Sequence, residues 1–182
     1  MCIVTGFTVA VHINCDPSIV NKEETLTKTI NASTSAVNKC TPSVEQLVQQ
    51  YKQTSVESDK SCFKHLIQKR YRKALKGVTP PDLLPYHVDL LTVSSLKGIR
   101  VNGAAHVVGC SIILYSEINT VEALLDLQQM IDSGELSELF SSTLSLLAAT
   151  EIIVTASLSS QEYNTAFTSL TSAAAGNANL IP

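Results

Sequence analysis

The residues able to do chemistry are few and scattered. The chain holds five cysteines (Cys2, Cys15, Cys40, Cys62 and Cys110) and four histidines. Cys62 precedes His65 by three positions, and on a helix such a pair shares a face. That is the arrangement a thiolate and its base require. Neither residue sits in a local catalytic signature, and burial or disulfide bonding is the commoner fate of a cysteine. The cysteine spacings match no zinc pattern. His12, His87 and His106 fall on expected strands or their ends, and no spacing among them supports a metal site. Glu135 and Glu138 follow Gly134 as a solvated helical turn would place them. Glycine totals seven, with no Gly-rich phosphate loop. The sequence implies no catalytic residue, no metal and no cofactor, and it reads as a non-enzyme.

One charge cluster stands out. Lys64, Lys69, Arg70, Arg72, Lys73 and Lys76 supply six of the chain's 13 Lys and Arg residues. Such a run on a helix is either a patch for an acidic partner or a solvated face with its cations near the helix C-terminus, where the dipole favours them. The formal net charge of −3 argues against a dedicated nucleic-acid binder. The strand HVVGCSIILYS offers only Tyr115 for base stacking, so no nucleic-acid partner is expected. Asn31-Ala32-Ser33 is an N-glycosylation acceptor pattern. Two disulfides plus one buried thiol suit an extracellular chain, and five reduced cysteines suit a cytoplasmic one; the acceptor pattern leans toward the former.

The elements that must position these residues follow from periodicity. Phe7, Val9, Val11 and Ile13 alternate with polar neighbours as a half-buried strand. Asp16-Pro17 opens a helix with a loose stripe of Ile19, Leu26, Ile30 and Val37. Val44, Leu47, Val48 and Tyr51 mark a second helix, and Phe63, Leu66, Ile67, Tyr71 and Leu75 a third that ends at Gly77. Residues 54–60 read as a polar loop. Val78 to Pro85, with three prolines, reads as a stiff connector. The stretch from His87 to Asn119 then predicts a hairpin of two long strands, Val88–Val101 and Ala104–Ile118, turning at Asn102-Gly103. A helix begins at Asn119 with Glu122 in its first turn and stops at Gly134. A short further turn, a final alternating strand at Ile152, Val154, Ala156 and Leu158, and a C-terminal helix or flexible tail complete the chain.

This order predicts an α+β fold: a ferredoxin-like βαββαβ antiparallel sheet with helices on one face and an enlarged first crossover. Residues 1–158 form a single domain with a helical insertion at about residues 17–77, followed by a Ser/Thr/Ala-rich segment, residues 159–182. Length and 45% hydrophobic residues fit one globular domain. No apolar run reaches the roughly 18–20 residues that span a bilayer, so membrane attachment would come only through segments outside this chain. The apolar N-terminus lacks the basic leader of a signal peptide. Nothing specifies an oligomeric state.

VNGAAHVVGCSIILYSEI followed by VEALLDLQQMIDSGELSEL resembles the second half of a SEA domain, over about residues 88–158. SEA domains are ferredoxin-like extracellular modules of mucins, proteoglycans and membrane-anchored proteases. Some cleave themselves at a Gly-Ser hairpin, where backbone strain helps the serine attack the preceding carbonyl. The matching turn here is Asn102-Gly103-Ala104. Ala104 has no hydroxyl, so the resemblance implies a module that does not cut itself there. A second register places the pair at Gly109-Cys110. The resemblance implies a structural or adhesive domain of a membrane-tethered or matrix glycoprotein at the cell surface, with a protein or an acidic glycan as partner. The alternatives are a cytoplasmic ferredoxin-like module that binds protein or nucleic acid through residues 64–76, and a self-processing domain that cuts at Gly103 or Gly109.

Overall fold

A computed structural model describes residues 6–15, 20–107 and 111–178. Its elements run β1 (Phe7–Asn14), α1 (Val20–Val37), α2 (Thr41–Gln53), α3 (Glu57–Leu75), α4 (Leu84–Leu96), β2 (Ile99–Val107), β3 (Ser111–Ile118), α5 (Val121–Asp132), α6 (Glu135–Ala148), β4 (Thr155–Ser157) and α7 (Ser160–Ala178). The strands form one antiparallel sheet in the order β2-β3-β1-β4. That is the ferredoxin-like order, with four helices in the first crossover and two in the second.

The alternation in β1 does what period-2 geometry demands. Val9, Val11 and Ile13 are fully buried, and Ile112, Leu114 and Ile118 of β3 lie opposite them or alongside on the same face. Burying each such side chain contributes roughly 1.5–3 kcal/mol. The helices cover this face, with Leu26 and Ile30 of α1 and Leu124 and Leu127 of α5 among the core residues. The other face is open to solvent, where Val107 and Tyr115 are exposed. At the C-terminus, Ala166 and Leu170 of α7 are buried. The segment after residue 158 is therefore packed helix through at least Leu170, not a loose tail.

The expected central hairpin needs correcting in two places. Residues 84–96 form helix α4, not the start of a long strand. Val88, Leu90, Leu91, Thr92 and Ser94 are all buried, so the helix is covered around most of its surface. A run buried on most sides carries little helical period to distinguish it from a buried strand. Pro85 sits in the first turn, where its missing N–H costs nothing. Second, Asn102-Gly103 is not the turn. It lies inside β2, where the register with β3 shifts between Val101 and Gly103. The extra residue is a β-bulge, a common place for glycine within a strand. The strands stay paired as far as Val107 and Ser111, so the connection falls at residues 108–110, outside the described residues. The polar stretch at residues 54–60 is also not all loop, because α3 starts at Glu57.

The last strand shows the expected alternation but has an unexpected partner. Ile152 and Val154 are buried and Ile153 is exposed, yet only Thr155–Ser157 pairs with β1. Three serines one helical turn apart on α6 bind backbone N–H groups of β4 and of the residues just before it. Ala156 N–H donates to Ser137 Oγ at 2.9 Å, Val154 N–H to Ser141 Oγ at 3.0 Å, and Ile152 N–H to Ser145 Oγ at 2.8 Å. Ser145 Oγ also donates to the Ile152 carbonyl at 3.2 Å. This hydroxyl ladder satisfies backbone donors that would otherwise be buried unpaired.

Candidate functional site

Helix α3 holds the charge cluster, and its buried side fixes which cations face out. Ile67, Tyr71 and Leu75 point into the core. The Tyr71 hydroxyl and Ser95 Oγ of α4 lie 2.6 Å apart and share a hydrogen bond. Burial raises the Tyr71 pKa, partly opposed by that bond, so the phenol stays neutral. Lys60 Nζ lies 5.9 Å from the Tyr51 ring centroid and ties the start of α3 to α2 by a cation–π contact.

At 3.6 residues per turn, Lys69, Arg72, Lys73 and Lys76 fall within an arc of about 100° opposite the buried side. All four are exposed. Among the described residues, no carboxylate lies within salt-bridge distance of any of them; the ion pairs there are Lys28 with Glu24 and His106 with Glu23. The helix begins with Glu57 and Asp59 and ends with Arg72 and Lys73, so the dipole also favours this placement. Lys64 and Arg70 lie off the arc. Lys64 borders a groove against α4 and α6. Arg70 is near enough to Cys40 for its charge to act on that thiol, whose pKa burial nevertheless raises. The six-residue cluster is thus a four-residue ridge with one cation on either side.

The expected degenerate cleavage turn, Asn102-Gly103-Ala104, is instead part of β2. Ala104 N–H donates to Asn31 Oδ1 at 2.8 Å, and Asn31 Nδ2 donates to the Ala104 carbonyl at 2.9 Å. Gly103, with φ 154°, leaves room for this contact, since a Cβ there would meet Asn31 Oδ1 at 2.7 Å. Gly103-Ala104 lies within a paired strand and not at a hairpin tip. The alternative at Gly109-Cys110 lies outside the described residues. Asn31, the glycan acceptor of the sequence pattern, sits within α1, and Nδ2, the atom a glycan would take, is the one bonded to Ala104.

The remaining candidates are dispersed. His12 lies on β1 and His106 on β2, but His87 lies on α4, not on a strand. Among the described residues, no group of three His, Cys, Asp or Glu side chains is placed to hold a metal ion. Cys40 and Cys62 are free thiols. Cys40 Sγ donates to the Val37 carbonyl at 3.2 Å, and Cys62 is exposed on α3 beside an equally exposed His65. The expected pair of disulfides does not form: with these two thiols free, the other three cysteines allow at most one bond. Cys2 and Cys110 lie outside the described residues.

Sequence reasoning missed one buried ionisable pair. Glu23 of α1 is fully buried, and its Oε2 lies 3.1 Å from His106 Nε2. Its Oε1 has no partner among the described residues. The signal was present: Glu23 precedes Leu26, Thr27 and Ile30 at helical spacing, on the stripe that faces the sheet. A cavity of about 320 Å3 also opens beside the edge strand β2, lined by Lys52, Arg100, Glu45 and Glu117 together with Val37, Val48, Leu91 and Ile99. Arg100 Nη2 donates to Asn38 Oδ1 at 3.3 Å. Among the described residues, no helix is long and apolar enough to cross a membrane.

No protein-family model matches the chain, and no curated protein or solved structure matches it at a significant level. The likeness to SEA domains therefore rests on the sequence pattern, beside a ferredoxin-like strand order.

Proposed function

We propose that the protein is a non-catalytic, SEA-like structural or adhesive domain of a cell-surface or matrix glycoprotein, and that it contacts acidic glycans through the outer ridge of α3. One observation carries this reading: Lys69, Arg72, Lys73 and Lys76 stand exposed on one arc with no carboxylate partner within salt-bridge distance among the described residues. Sulfated glycans present closely spaced anions, and cations on a rigid helix meet them without first breaking an internal ion pair. Attraction of this kind weakens with salt, because the Debye length is about 10 Å at 0.1 M. The test is retention on immobilised heparin. The wild-type chain is expected to bind and to elute with added salt, and the variant Lys69→Glu/Arg72→Glu/Lys73→Glu to flow through with unchanged thermal stability. Equal retention of the two proteins would sink the proposal.

A second reading has its own support. The free thiols of Cys40 and Cys62 suit a reducing compartment and a cytoplasmic module that uses the same ridge on protein or nucleic acid. Thiol counting on protein secreted from animal cells separates the two. Intact mass showing five free thiols, together with salt-sensitive RNA binding lost in the ridge variant, would favour the cytoplasmic module.

A further inference from the structure

The groove beside α3 has a chemistry opposite to that of the ridge. It lies between α4 and α6 and encloses about 420 Å3, within the range of about 300–1,000 Å3 usual for small-molecule sites. Its floor is apolar, with Met130, Leu136 and Leu139. Its rim carries three carboxylates, Asp89 of α4 and Glu135 and Glu138 of α6, against one cation, Lys64. Among the described residues, none of these carboxylates has a cation within salt-bridge distance.

A second feature points to an occupant. Thr92 lines the same groove, is fully buried, and its hydroxyl oxygen has no hydrogen-bond partner among the described residues. Helical threonines usually satisfy that hydroxyl on the carbonyl one turn back, as Thr143 does on Leu139 at 2.7 Å. Thr92 does not. A buried polar group without a partner is uncommon and calls for one.

We propose that this groove binds an aliphatic polyamine. Methylene segments would lie on the apolar floor, and ammonium groups, which only donate hydrogen bonds, would meet the carboxylates; the Thr92 oxygen, closed to solvent in this structure, would be reached as the side chains over it part. The excess of negative charge lining the groove disfavours the acidic glycans assigned to the ridge, so the two sites are independent.

Calorimetric titration of the full chain with spermidine at low salt tests this. One saturable site is expected, with affinity reduced at least fivefold by Glu138→Gln and by Asp89→Asn, and severalfold by Thr92→Val. Hexane-1,6-diol, which keeps the methylenes and lacks the charges, is expected not to bind. Undetectable spermidine binding overturns the proposal. So does displacement by magnesium at matched ionic strength, which would mean diffuse charge attraction. Unchanged affinity in either Glu138→Gln or Thr92→Val also overturns it. Glu138 is exposed, so its variant keeps the test valid if Thr92→Val does not fold.

Discussion

Asn31 and Ala104 pair through both atoms of a side-chain amide and both polar atoms of a peptide backbone, at 2.8 and 2.9 Å. The side chain of a helix thereby stands where the next strand's backbone would be. β2 is an edge strand, and a bare edge invites pairing with another chain. The other edge is treated similarly. β4 covers only His12–Asn14 of β1, and the Ala10 N–H beyond it donates to Glu162 Oε1 of α7 at 3.2 Å.

Removing that amide will destabilise the sheet edge. Asn31→Ala should lower unfolding free energy by about 1–3 kcal/mol, the cost of leaving partly buried backbone groups unpaired. Gly103→Ala should also destabilise, because the new Cβ meets Asn31 Oδ1 at 2.7 Å. In the double variant that clash is gone, so the two losses should not add. Urea midpoints of the four proteins measure this, and strict additivity would mean that the amide is not what confines Gly103.

Acid will weaken the fold through His87. Burial lowers its pKa from 6.5 to about 4. Thr29 Oγ1 donates to the Leu26 carbonyl at 2.9 Å and so accepts from His87 Nε2–H at 3.2 Å; hydrogen bonds to Leu83 and Thr29 oppose the shift without reversing it. The folded-state pKa lies below the unfolded one, so the unfolded chain binds the proton first as pH falls. The contribution is fully present above pH 6.5 and is lost between there and about pH 4. At 1.36 kcal/mol per pH unit the loss is about 3 kcal/mol. His87→Leu should flatten the stability profile in that window; a profile as steep as wild type would assign the acid sensitivity to other groups.

The serine ladder should be unequal along its length. Ser145 both accepts from and donates to Ile152, next to buried core, so Ser145→Ala should cost about 1–3 kcal/mol. Ser137→Ala, at the partly exposed Ala156, should cost less. Amide hydrogen exchange reads each rung at its own N–H. Unchanged protection at Ile152 in Ser145→Ala would show that the hydroxyl is not its acceptor.

How much of this was legible depended on whether a segment had one wet side. β1 was plain because Val9, Val11 and Ile13 alternate with residues that reach solvent, and the stripes of α1, α2 and α3 were readable for the same reason at helical spacing. α4 was not, because burial on nearly all sides erased its period. Asn102-Gly103 looked like a turn because the pair's backbone freedom suits one; that freedom serves a bulge and the close approach of Asn31, a contact made from far away in the chain. The α3 cations were visible as a cluster, but only the positions of Ile67, Tyr71 and Leu75 in the core separate the ridge from Lys64 and Arg70. Glu23 was passed over because a carboxylate on an apolar stripe has meaning only once His106 is beside it.

The bond between α6 and the segment before β4 depends on two rulers with nearly equal graduations. Four residues of helix advance about 6.0 Å, and two residues of strand about 6.6–6.8 Å. Ser137, Ser141 and Ser145 mark one scale, and Ala156, Val154 and Ile152 mark the other in the opposite direction. As on a vernier, the marks coincide over a short span and then drift apart, by roughly 0.7 Å per step. Three rungs sit within what a rotating hydroxyl absorbs; a much longer ladder would outrun it. The same spacing makes a slip of one residue ruinous, since it turns the donors away, while a slip of two meets the next serine. Helix α6 therefore acts as a gauge for the last strand: it sets the parity of the register and limits how far a helix can stand in for a neighbouring strand.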